Sequence, residues 1–101
     1  MPTLYIAEAQ KLGSGPRQEG VAQAIQLPPL AEDTVAIGSE SAQSDAFGAN
    51  TNLIRVHTDA ACHVLVGANP TATTANMRLA ADTTEYFAVT PGNKIAVIEA
   101  S

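Results

Sequence analysis

The sequence predicts an all-β fold: a single small β-sandwich or barrel-like domain of about seven or eight short antiparallel strands, with an extended N-terminal segment. Three observations predict it. Short apolar runs rich in Val, Ile, Leu and Thr recur along the chain, separated by Gly, Pro, Asn and Asp turn signals at roughly 8–12-residue spacing. Within most runs apolar and polar residues alternate, which is the period of a half-buried strand. A length of 101 residues suits one modest core.

The elements follow in chain order. Thr3-Leu4-Tyr5-Ile6-Ala7-Glu8 has the length and β-formers of a strand. It can pair within its own domain or lie as an arm on a neighbour. Gly13-Ser14-Gly15-Pro16 breaks regular structure, so Lys11 to Gly20 reads as a loop. Gly20 to Leu27 alternates again, and Pro28-Pro29 stops it because proline donates no ladder bond. Residues 1–30 therefore read as an N-terminal strand or arm plus loop, and residues 31–101 as the body.

In the body, Thr34–Gly38 places Val35 and Ile37 on one face. Glu40–Ala46 is polar and suits an edge strand, with Phe47 as its anchor. Leu53–Thr58 turns Ile54 and Val56 one way and Arg55 and His57 the other. Thr58–Ala61 reads as a hairpin turn into Cys62–Val66. Thr74–Ala81 holds helix formers, but its setting among short strands favours a strand at Met77–Ala80, with Thr83-Thr84 as a turn. Glu85–Val89 places Phe87 and Val89 together. Pro91-Gly92 turns the chain into Lys94–Ile98, whose apolar residues on both faces predict a central strand.

Charge is sparse and negative. Charged residues are 15% of the chain, against about 25% in ordinary globular proteins. A net charge of -5 disfavours phosphate backbones and anionic membranes as partners. The single Cys62 excludes a disulfide-stapled scaffold. No charged-then-apolar leader and no run of about 20 apolar residues is present, so a soluble protein made in the cytoplasm is expected.

Candidate chemistry is thin. His57, Asp59, Cys62 and His63 form the one cluster of reactive residue types. A hairpin at Asp59-Ala60 would set His57 opposite Cys62, the start of a nucleophilic pair or of a zinc site. The pair lacks a third member, and alternation turns His63 away from Cys62. A buried thiol with two ordinary histidines is therefore the expectation. The carboxylates are scattered and read as loop solvation. Gly13-x-Gly15 lacks the Gly-Lys-Ser/Thr of a phosphate loop. With no Trp and only Tyr5 and Tyr86, sugar stacking has little to build on. No catalytic residue, cofactor or metal is expected. A different signal comes from two extended apolar stretches, Leu4-Tyr5-Ile6 and Leu27-Pro28-Pro29-Leu30, which are the candidate interface residues.

Longer stretches of text add a resemblance. They are the opening Met1–Glu8, then Asn52–Cys62, Gly67–Thr73, Arg78–Ala81, Glu85–Val89 and Pro91–Ile98. Together they resemble small virion structural proteins of tailed bacteriophages. The resemblance covers most of the chain, is strongest after Asn50, and rests on overall texture rather than a diagnostic motif. It implies a β-rich, non-enzymatic component that decorates or cements the assembled head. It also implies the major capsid protein and copies of itself, in a trimer at a three-fold junction, as partners. The implied place is the virion surface. On this reading residues 1–12 are a detachable arm, and removing them leaves the body folded. A head–tail connector or tail component, a phage-surface carbohydrate-binding sandwich, and a small enzyme built on Cys62 and His57 are the alternatives.

Overall fold

The structure, a computed structural model, describes residues 2–10 and 29–100. The described residues form eight strands: β1 (Thr3–Ala9), β2 (Ala31–Ala36), β3 (Ala42–Gln43), β4 (Leu53–Thr58), β5 (Cys62–Gly67), β6 (Met77–Leu79), β7 (Thr83–Ala88) and β8 (Lys94–Glu99). Two four-stranded sheets result, in the orders β2-β1-β4-β7 and β3-β8-β5-β6, and every pairing is antiparallel. The expected all-β sandwich is what the chain forms.

Alternation builds the core. In β4, Ile54, Val56 and Thr58 are buried while Leu53, Arg55 and His57 are less so. The same phase in β1 sends Leu4 and Ile6 inward beside Val35 of β2 and Val56 of β4. Cys62, Val64, Leu79, Ile95 and Val97 of the second sheet belong to the same cluster. β8 lies between β3 and β5 with Ile95, Ala96 and Val97 all at 0% exposure, as its two apolar faces predict. Phe47, 3% exposed, anchors the segment after β3. Burying one such side chain is worth about 1.5–3 kcal/mol.

Of the two alternatives left open for Thr3–Glu8, the structure shows the strand at home and not the arm: β1 sits between β2 and β4 in its own domain, because Leu4 and Ile6 have a core to enter and both strand edges find partners. The structure departs from the sequence reading in three places. Thr58–Ala61 is not a hairpin. It carries the chain from the first sheet to the second, and β4 pairs with β1 and β7 instead of β5. The buried Thr58 hydroxyl shapes this crossing by donating to Ala60 O and accepting from Ala60 N. Thr83-Thr84 is not the turn either. The chain reverses one step earlier at Asp82, whose φ of 59° is tolerated by a short polar side chain, and Thr83 opens β7. Of Glu40–Ala46 only Ala42–Gln43 joins a ladder, at the expected edge position. The strand expected over Gly20–Leu27 and the loop over Lys11–Gly20 lie outside the described residues.

Pro91-Gly92 does form the expected turn. Asn93 N donates to Thr90 O at 3.2 Å, and Gly92 has φ 86°, the value a type II turn requires at its third residue. Any Cβ-bearing residue at position 92 is strained by that angle.

Candidate functional site

The side chains that do not enter the core of the first sheet point to its outer face. Strand register sets them in rows. One row runs Thr34, Tyr5, His57, Thr84 across β2, β1, β4 and β7. The next runs Glu32, Ala7, Arg55, Tyr86. Both tyrosines of the chain, a histidine and an arginine therefore share one sheet face.

Tyr5 is 47% exposed, and its ring leans on His57 with centroids 6.4 Å apart at 41°. His57 Nδ1 lies 2.9 Å from Thr84 Oγ1, which holds the imidazole along the row. Tyr5, Glu32, Thr34 and Arg55 border a shallow depression of about 320 Å³. Glu32 and Arg55 stand two strands apart, about 10 Å at the backbone. Among the described residues neither side chain has an ion-pair or hydrogen-bond partner. The face can stack, donate and accept. It offers no activated nucleophile. No protein-family model, curated protein or solved structure matches the chain.

The interface residues named from the sequence divide. Leu4 (0% exposed) and Ile6 (3%) are core residues and cannot contact a partner, which corrects the arm reading. Tyr5, between them, points outward. Pro29 is half-buried and Leu30 is 52% exposed at the start of β2, where Leu30 N donates to Glu8 O at 2.8 Å. Leu27 and Pro28 lie outside the described residues.

The His–Cys cluster disperses. His57 is on the outer face of the first sheet. Cys62 is buried in the core, with its Sγ 3.6 Å from Thr58 Oγ1. His63 points elsewhere, Nδ1 2.9 Å from Asn76 O. Asp59 accepts from Thr3 N at 2.7 Å. Cys62 is the buried thiol that was expected, and the His57–Cys62 apposition that a hairpin would give does not form because the two strands belong to different sheets. Among the described residues no group of three or more His, Cys, Asp or Glu side chains is placed to hold a metal.

Burial pushes the Cys62 thiol above its ordinary value of 9.0, against weaker opposing pulls from the Thr58 hydroxyl and the Arg78 charge. The folded state thus holds its proton where the unfolded chain releases it. Stability from this group is complete below pH 9.0 and falls as pH rises above it. Wild type should therefore lose urea stability above pH 9.0 more steeply than Cys62→Ala, and the folded thiol should resist a disulfide reagent at neutral pH. Parallel pH profiles for the two proteins would show that the thiol is not held protonated by burial.

Two features were not read from the sequence. Glu8 is 5% exposed, not solvated: its Oε1 accepts from Gly48 N at 2.9 Å and from Thr51 Oγ1 at 2.6 Å. Its position on the core side of β1, in phase with Leu4 and Ile6, was the available signal. The second is an apolar depression of about 260 Å³ where β5, β6 and β7 meet, lined by Val64, Leu65, Val66, Met77 and Phe87. Met77 there is 58% exposed, and no sequence pattern distinguishes it from a core methionine.

Proposed function

We propose that this protein is a non-enzymatic virion structural protein of a tailed bacteriophage, a decoration or cement protein that binds the assembled head and stabilises it. The observation that carries the reading is the outer face of the first sheet. On one sheet face it gathers Tyr5, Tyr86 and Arg55, residue types enriched in protein–protein contacts, together with His57. An open sheet face with a shallow depression suits docking on a broad capsid surface better than turnover of a small substrate, which calls for an enclosing cleft. The frame behind it is well satisfied: among the described residues every buried side-chain polar atom has a hydrogen-bond partner. Low charge and the resemblance to virion proteins support the same reading. Many copies on one lattice turn modest contacts into durable cover, and ligands that bind only the assembled state stabilise it. The major capsid protein is the proposed partner and the head surface the proposed place.

Co-sedimentation with empty heads tests the proposal. Wild-type protein should pellet with heads and raise their melting temperature. Tyr5→Ala and Arg55→Ala should each weaken binding about tenfold or more while the domain stays folded. Retention of full binding by both variants would move the contact off this face. A second reading, a carbohydrate-binding sandwich, is favoured by the depression between Tyr5, Glu32, Thr34 and Arg55, which a ring and two charged groups border. Glycan-array binding that Tyr5→Ala abolishes would select it.

A further inference from the structure

Among the described residues four strands lie at sheet edges: β2, β7, β3 and β6. β3 has two residues and β6 three, too short to template a partner strand. β2 follows Pro29 and carries the adjacent charges Glu32 and Asp33. β7 differs. It has six residues, Thr-Thr-Glu-Tyr-Phe-Ala, with no Pro, Gly or Lys and a single charge. A long edge of β-formers without such guards is one that normally has to be covered.

The ladder shows which groups it exposes. Val89 N donates to Asn52 O at 2.9 Å, which sets the phase of the β4–β7 pairing. Thr83, Glu85 and Phe87 then turn their N–H and C=O toward β4, and Thr84, Tyr86 and Ala88 turn theirs away from the sheet. Among the described residues no strand pairs with that outer side. Directly beside it lies the apolar depression with Phe87 and the exposed Met77.

We propose that the β7 edge pairs antiparallel with β7 of a second copy of this chain, joining two first sheets into one continuous sheet across a two-fold axis. The strand is self-complementary in one register. With Tyr86 facing Tyr86 of the second copy, Thr84 faces Ala88, and every outward N–H and C=O of the strand finds a partner. In this register Glu85 faces Phe87. Sliding one way sets Glu85 against Glu85, and sliding the other shortens the ladder, so charge and bond count select the same alignment. A six-residue ladder is only about 20 Å long, and a stable interface buries roughly 800 Å² per partner, so the ladder needs apolar contact beside it. The adjoining depression supplies that contact, as Met77 and Phe87 of both copies come together beside the axis. One edge paired with itself closes at two copies, so the trimer expected from the sequence would need another surface. The inference is independent of the virion reading.

Site-directed cysteines test it on the full chain. In the proposed register two Tyr86→Cys residues have Cα atoms about 5.5 Å apart, within disulfide range. Two Thr84→Cys residues are offset by four positions, about 13 Å. With oxidised glutathione, Tyr86→Cys should form a covalent dimer and Thr84→Cys should stay monomeric; Cys62, buried, leaves wild type uncrosslinked. Tyr86→Pro removes an N–H that points away from its own sheet, so it should abolish the concentration-dependent dimer of wild type in sedimentation. Wild type that sediments as a monomer up to about 1 mM, or equal crosslinking of both cysteine variants, would overturn the proposal.

Discussion

Deleting residues 1–12 should unfold the domain rather than free an arm. β1 runs between β2 and β4, so its loss strips hydrogen bonds from both neighbours and leaves β2 with no partner in its sheet. It also removes Leu4 and Ile6, 0% and 3% exposed, and uncovers Val35, Ile54 and Val56. Truncating one such side chain to Ala costs about 2–5 kcal/mol. A domain of this size holds about 5–15 kcal/mol in total. Two core side chains and a central ladder together exceed that margin. The truncated chain should give no cooperative thermal transition and no sheet signal by circular dichroism. Leu4→Ala should remain folded but lose about 2–5 kcal/mol in urea. A truncated protein that melts cooperatively would mean that β1 is dispensable, as the arm reading required.

Glu8→Ala should be the most damaging change at a charged residue. The side chain leaves β1 and clips the turn after Phe47 through Gly48 N and Thr51 Oγ1. Thr51 is 0% exposed, so its hydroxyl has no ready water to turn to. Hydrogen bonds to charged groups contribute about 1.5–3 kcal/mol each, and an unsatisfied buried donor carries its own cost. A loss of about 3 kcal/mol is expected. Glu8→Gln keeps an acceptor oxygen and should lose less. Urea denaturation of the three proteins measures the series. An alanine variant within about 0.5 kcal/mol of wild type would mean that the clip contributes little.

The sequence was most legible where a signal is local. The bounds of β4, the burial of Ile54 and Val56, the Pro91-Gly92 turn, the anchor Phe47 and the interior place of β8 all follow from alternation and turn chemistry. What could not be read is which strand pairs with which. Alternation tells a strand its faces, never its neighbours. Hence Thr58–Ala61 looked like a hairpin although it crosses between sheets, and His57 looked opposed to Cys62 although the two lie on different layers. The same limit hid the candidate face. Tyr5, Arg55 and Tyr86 are far apart in the chain, and only the β1–β4–β7 register brings them together. Glu8 and Gly48 likewise meet across 40 positions. Leu4 and Ile6 were named as interface residues because a strand near the N-terminus looks the same whether it pairs at home or abroad.

In the proposed function a small sandwich coats a head and acts by number. A stoichiometric count on purified particles of the encoding phage, by quantitative mass spectrometry against the major capsid protein, tests it most directly. Decoration predicts on the order of hundreds of copies per particle, in fixed ratio to the capsid subunit. A count of about a dozen or fewer, as a unique vertex would hold, or none at all, would contradict it.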